Sequence, residues 1–359
     1  MTMRAPLFQG QGLMARVLRS ASWLVIGYGG SQAMRLAANL ILTRLLFPEA
    51  FGLMALVSVV TVGLSLFSDV GIGPSIAQSK RGDDPDFLNT AWSIQVTRGL
   101  LLWGLTGLLA WPMAQFYSAP ELLTYLPIAG IGLMIAGFNP TRIETANRHL
   151  LVGRLTVLDL ASQVIGVGFM IVMAWLTQSV LALVLGGVVQ ALAKLVLTHY
   201  GLPGLRNQFR WEKSAAKELI HFGKWIFLST AFWFATSQGD RAILGKFVPL
   251  ETLGIYNIGY FLASFPMLLG HAVNQRLMIP VYRDKPVSAA PENRRKQRIL
   301  RTGLTTGILS LLWLMAWIGP GLVSFLYDDR YALAGPMVVL ISLALAPAVI
   351  GMTYDQAAL

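Results

Sequence analysis

Apolar residues in this chain gather into long unbroken windows separated by short polar breaks. About ten such windows occur, at roughly 20–42, 50–72, 88–110, 122–141, 156–176, 179–199, 222–246, 252–273, 303–326 and 333–354. Each reaches the length of about 20 residues that a helix needs to cross about 30 Å of hydrocarbon. None shows the residue-by-residue alternation of a membrane barrel strand. The pattern predicts an all-α integral membrane protein with about ten transmembrane helices.

Composition agrees. Hydrophobic residues make up 55% of the 359 positions and charged residues 13%, and the mean hydropathy is +0.60. A water-soluble domain carries about 25% charge, so this chain cannot cover a water-facing surface. It has no cysteine, which excludes disulfides, thiolate metal sites and cysteine nucleophiles. The four histidines are scattered, and no metal is expected.

The net charge of +11 reads as topology rather than as a nucleic-acid surface. Of the 28 lysines and arginines, Arg44, Lys246 and Arg330 fall in outer connections and Arg35, Arg98, Lys194 and Arg241 inside windows. The other 21 fall in segments on the side of the N-terminus. Basic residues stay cytoplasmic, so the N-terminus is expected inside, in a bacterial cytoplasmic (inner) membrane. The first window lacks a small-residue cleavage site and reads as an uncleaved anchor. The outer connections are short, too short for a catalytic domain, so the chain is not expected to be an enzyme.

Residues 13–81 and 215–283 read as one unit written twice, offset by 202. Leu13, Met14, Val17 and Leu18 meet Ala215, Ala216, Leu219 and Ile220, an amphipathic lead-in to a span. Trp23 meets Trp225, Gly52 meets Gly254 and Arg81 meets Arg283, with Pro48 and Pro249 shortly before the two glycines. Two repeats of one orientation imply two facing bundles with a site between them. The expected division is a six-helix bundle over 1–200, a cytoplasmic linker with an amphipathic helix over 201–221, and a second bundle over 222–359. That second bundle supplies only about four windows and is expected to be incomplete.

Arginine near a bilayer centre costs about 2.5–3.5 kcal/mol on insertion scales. Arg35, Arg98 and Arg241 lie well inside the first, third and seventh windows. Arg35 corresponds to Ser237, one helical turn before Arg241, so the two arginines share a face of equivalent spans. Guanidinium groups bind phosphate through paired planar donors, more strongly out of water. These three are the candidate substrate-binding residues, for a pyrophosphate and its glycan. Asp240, the deepest acid, is a candidate for H⁺ or Na⁺ coupling. Asp69 and Asp159, near the ends of their windows, are weaker ones, and Lys194 is expected to snorkel to the surface.

Several motifs lead nowhere. No GxxxxGK[ST] is present. "GIGLMIAG" (130–137) lies in a span and packs helices, and "DDPD" (83–86) sits in a loop with no domain around it.

The stretches "LTRLLFPEAFGLMALVSVV", "SDVGIGPSIAQSKR", "NTAWSIQVTRGLLLWGL" and "GDRAILGKFVPLETLGIYNIGYFLASFP" resemble the oligosaccharide flippases of the polysaccharide transporter branch of the MOP (MATE-like) exporter superfamily. The resemblance covers nearly all of residues 15–355. It implies a carrier that moves a polyprenyl-pyrophosphate-linked glycan between leaflets for exopolysaccharide, O-antigen or capsule synthesis. No cofactor is implied. The implied partners are the lipid-linked glycan, membrane lipid, and a polysaccharide polymerase and glycosyltransferases of the same pathway; no nucleic acid is. Members usually have twelve or more spans, and this chain has about ten. A lipid-linked peptidoglycan precursor flippase, a cation-coupled multidrug exporter and a membrane glycan polymerase or ligase are the alternatives.

Overall fold

The computed structural model describes residues 13–271, 273–274 and 291–355. Arg4, Arg276, Arg283 and Lys285 lie outside the described residues, as does the Arg81–Arg283 correspondence. The described residues form helices and no strand: α1 (Leu13–Leu45), α2 (Pro48–Phe67), α3 (Ile72–Gln78), α4 (Pro85–Tyr117), α5 (Leu122–Gly137), α6 (Arg142–Arg148), α7 (Val152–Thr177), α8 (Leu181–Gly201), α9 (Lys213–Phe247), α10 (Leu250–Ala263), α11 (Phe265–His271), α12 (Pro291–Leu326) and α13 (Ala334–Asp355). A single 3₁₀ turn, Asp329–Tyr331, precedes α13.

Every expected window falls mainly on helix. Six helical segments are long and apolar enough to cross a membrane, and two bent pairs, α5–α6 and α10–α11, raise the number to eight. The remaining two, α1 and α9, are long enough at 33 and 35 residues but too polar to pass the same hydropathy test. Large apolar side chains point outward, among them Trp175 at 68% exposure and Trp317 and Phe325 at 82%. Such surface is stable against lipid and not against water.

The repeat holds at the level of elements. The offset of 202 carries the end of α1 at Leu45 onto the end of α9 at Phe247, and the start of α2 at Pro48 onto the start of α10 at Leu250. The order long, medium, short, long, medium recurs in α1–α5 and α9–α13, with α4 and α12 at 33 and 36 residues.

Local chemistry sets the breaks. Pro85 opens α4 at the position where a missing N–H is harmless, and the Asp84 side chain accepts from the Asp86 N–H at 3.0 Å. Gly71 precedes α3 at φ 65°, a conformation that favours glycine, and its N–H donates to Asp69 Oδ1 at 2.9 Å. Asn139-Pro140 ends α5, and the chain resumes as α6 after a 59° bend. Crossing helices meet at glycine: a Cβ placed on Gly99 would sit 3.0 Å from the Gly137 Cα. Small residues let membrane helices approach this closely.

By packing, residues 13–46 and 53–250 make one unit and residues 47–52 and 251 onward another. This boundary differs from the 201–221 linker expected above, and the reason is the linker itself. The Gln208 N–H donates to Asn89 Oδ1 at 2.9 Å, Arg210 N–H to Ser93 Oγ at 3.0 Å and Glu212 N–H to Thr90 Oγ1 at 3.0 Å. An extended strap is thereby bound along the first turns of α4. It delivers Ala215 and Leu219, at the start of α9, into a core with Ile72, Ile76, Phe87, Leu88 and Ala91. At the other end of the same pair, Lys246 Nζ donates to the Phe116 carbonyl at 2.6 Å and Tyr117 Oη to the Ala242 carbonyl at 3.3 Å. α9 therefore runs parallel to α4, held at both ends, within the first unit.

Candidate functional site

The three membrane arginines all belong to this first unit, on α1, α4 and α9. Arg98 is the most constrained. Its Nε donates to Ser68 Oγ at 2.9 Å and its Nη2 to the Ser65 carbonyl at 2.6 Å. The last turn of α2 holds the guanidinium because Ser65 and Ser68 expose acceptors there. Arg98 also lines a cavity of about 460 Å³ with Asp69, Gln95 and Glu144, so Asp69 and Arg98 are brought to one place.

Arg241 is partly buried; its Nη1 donates to the Ser237 carbonyl at 3.0 Å and its N–H to Asp240 Oδ1 at 2.8 Å. Asp240 thus caps the backbone of its neighbour. The buried Ser237 Oγ has no hydrogen-bond partner among the described residues. Arg35 is exposed on α1, which packs on α7 through Trp23 against Gly153 and Gly27 against Thr156.

Asp159 accepts an ion pair from Lys194 at 2.9 Å, between α7 and α8. Lys194 therefore does more than snorkel: it neutralises an acid on the next helix.

Depth separates the arginines. Arg98 lies in the first half of α4 and Arg241 in the last two turns of the parallel α9. With the starts of the two helices level and Phe116 level with Lys246, about fifteen residues separate the arginines along the helix pair, about 22 Å at 1.5 Å per residue. Arg35, which the repeat equates with Ser237, sits one turn short of Arg241 in equivalent depth. The parallel packing of α9 on α4 thus sets Arg98 and Arg241 at different levels, not in one shared clamp.

Polar residues on α1 and α9 follow the same face. On α1 they recur as Tyr28, Gln32, Arg35, Asn39 and Thr43, and Gln32 Nε2 donates to Tyr28 Oη at 3.0 Å. The offset of 202 carries Tyr28 onto Thr230, Arg35 onto Ser237 and Asn39 onto Arg241. Gln32 and Thr43 fall on Phe234 and Gly245, so the repeat keeps part of the polar stripe while changing which position is charged. This stripe is why α1 and α9 are the two helices that fall short in hydropathy.

Glu144 is the residue that sequence reasoning missed. It sits just past the α5–α6 bend, against Gly73, where a Cβ would lie 3.0 Å from Glu144 Oε2. Its only sequence signal is Pro140, which marks the bend that turns it inward.

The sequence profile of the family described as "Polysaccharide biosynthesis protein" matches residues 41–335. This chain belongs to that family. Among its curated relatives are the teichuronic acid biosynthesis protein TuaB of Bacillus subtilis (strain 168), 21% identical over 77% of this chain and 57% of its own, and the succinoglycan biosynthesis transport protein ExoT of Rhizobium meliloti (strain 1021), 21% identical over 91% and 66%. The amylovoran biosynthesis protein AmsL of Erwinia amylovora is 23% identical over 68% and 64%. The chain thus spans about three-fifths of the length of these relatives.

Among solved structures it is similar to an outward-facing multidrug resistance MATE family transporter of the MOP superfamily, with a TM-score of 0.52 and 15% identity over 100% of this chain and 86% of the other. A MATE protein in the straight conformation gives a TM-score of 0.51 and 14% identity over 99% and 86%. At this identity the likeness concerns fold. This member of the polysaccharide biosynthesis protein family is an all-α, multi-pass membrane protein with the fold of MOP-superfamily transporters.

Proposed function

We propose that this chain works as a carrier that passes a polyprenyl-pyrophosphate-linked oligosaccharide across the bacterial cytoplasmic membrane, from the inner to the outer leaflet, by alternating access. The observation that carries the reading is the family match over residues 41–335. The names of three relatives point the same way, to biosynthesis of teichuronic acid, succinoglycan and amylovoran, and in one case to transport.

Chemistry explains the arginines in this reading. A pyrophosphate cannot enter hydrocarbon uncompensated, and a fixed guanidinium offers two parallel donors in a low dielectric. Arg98 receives the phosphates nearer the basic loops; Arg35 and Arg241 receive them further across. Staggered cations serve a moving charge better than a single tight site, which would hold the ligand and slow its release. The sugar follows the polar stripes of α1 and α9 while the polyprenyl tail stays in lipid.

Asp240 is the candidate for coupling to H⁺ or Na⁺, and Asp69, beside Arg98, a second. Asp159 is a weaker candidate, because Lys194 already neutralises it. A cation-coupled drug exporter shares the fold, but a site for cationic drugs calls for carboxylates along the path, and here the path is arginine-rich.

The test is export. Cells that depend on this protein for surface polysaccharide lose the polymer from the surface and retain the lipid-linked oligosaccharide inside when Arg35, Arg98 and Arg241 are replaced together by glutamine.

A further inference from the structure

A second cavity lies off this path, at the end of the first unit where α4 begins and α8 ends. It measures about 770 Å³. Trp92, Phe138, Leu195, Val196 and Tyr200 form its apolar wall, and Arg142, His199, Arg206 and Asn207 its polar wall. The lining contains two arginines and no carboxylate.

These groups are held, not incidental. Arg142 is buried and donates to the carbonyls of Leu205, His199 and Leu202 at 2.7, 2.9 and 3.0 Å. It thereby offsets the negative end of α8, which would otherwise repel an anion. Asn207 is fixed by Thr141, whose N–H donates to Asn207 Oδ1 at 3.0 Å. Trp92 packs against Phe209 in a tilted ring pair with centroids 4.9 Å apart and donates from Nε1 to the Phe138 carbonyl at 3.3 Å. The exposed Arg206 makes no hydrogen bond or ion pair among the described residues.

The apolar wall continues outward. Leu192, Val196 and Tyr200 are exposed at 49%, 45% and 89% and recur every fourth residue along α8, so they form one stripe that runs from the lipid-facing surface into the cavity mouth. Aromatic residues with basic neighbours at the end of a span mark the membrane interface, and basic pockets there take lipid head groups.

We infer that this cavity binds the phosphate of a membrane lipid, with the chain of the lipid along Leu192–Val196–Tyr200 and the phosphate on Arg206. The chemistry is shared by a bilayer phospholipid and a polyprenyl pyrophosphate. The site is separate from the arginine path and does not rest on the transport reading.

Binding of dioctanoyl phosphatidylglycerol and of farnesyl pyrophosphate to the purified full chain in detergent separates the two sources. Arg206→Gln and Arg206→Gln/Tyr200→Phe are compared with Lys217→Gln, which removes an exposed charge of the same region outside the cavity. The expected result is saturable binding to the wild type that weakens at least fivefold in the Arg206 variants and stays unchanged in Lys217→Gln. Weakening for phosphatidylglycerol assigns the cavity to bilayer lipid; weakening for farnesyl pyrophosphate alone assigns it to the polyprenyl lipid. Equal weakening in Lys217→Gln, or no weakening with either probe, overturns the proposal.

Discussion

Gly52 and Gly254, the residues that the repeat equates, pack against each other. A Cβ placed on Gly254 would lie 3.0 Å from the Gly52 nitrogen and would collide with the Pro48 carbonyl oxygen. The turn written twice in the sequence, proline then glycine at the entry of α2 and of α10, meets its own copy.

That contact has no room for a side chain. Gly254→Ala forces backbone apart and is expected to cost about 2 kcal/mol or more, read as lost folded yield and a lower unfolding temperature in detergent. Gly107→Ala, at a position with nothing within 4 Å, should leave both unchanged.

Arg142 is expected to matter for stability well beyond its position in a short helix. Removing it leaves the carbonyls of His199 and Leu202 at the end of α8, and that of Leu205 just beyond it, without their donor, and Arg142→Met should destabilise the fold by about 3 kcal/mol. Thermal unfolding of the variant checks this; an unchanged melting temperature would contradict it.

The Lys194–Asp159 pair predicts a non-additive cycle. Asp159→Asn or Lys194→Met alone strands one charge between α7 and α8, whereas the double variant strands none. The interaction term should reach about 1 kcal/mol in the sense that the double variant is more stable than the sum of the singles. Additive losses would show that the pair is incidental.

The strap carries a pH dependence. Hydrogen bonds from Arg81 hold Asp84 and Glu212 below the usual carboxylate range, and a hydrogen bond from His149, with the Arg148 charge, does the same for Asp83. Carboxylates held low stabilise the fold above their unfolded pKa of about 4 and lose that contribution as pH falls through the folded value. The gap in melting temperature between wild type and Glu212→Gln should therefore be present at pH 7 and shrink toward pH 3. A gap independent of pH would contradict the assignment.

The helices were legible because hydrocarbon demands long apolar runs, and a run of twenty is hard to hide. Their extents were less so. α1, α4 and α12 continue into water as polar helix, where hydropathy carries no signal. The strap over 205–212 was invisible because Asn89, Thr90 and Ser93 hold its N–H groups from more than a hundred residues away. Asp159 read as a weak coupling candidate because its partner, Lys194, is on another helix. The arginines were visible as misplaced charge, and the repeat aligned two of them. Their separation in depth needed the parallel packing of α9 on α4, which no local pattern encodes.

The most direct test of the cationic path is polysaccharide export by cells carrying Arg35→Gln/Arg98→Gln/Arg241→Gln at wild-type protein level in the membrane. Surface polymer should fall at least tenfold, with lipid-linked oligosaccharide accumulating inside. Wild-type export at equal protein level would contradict the account.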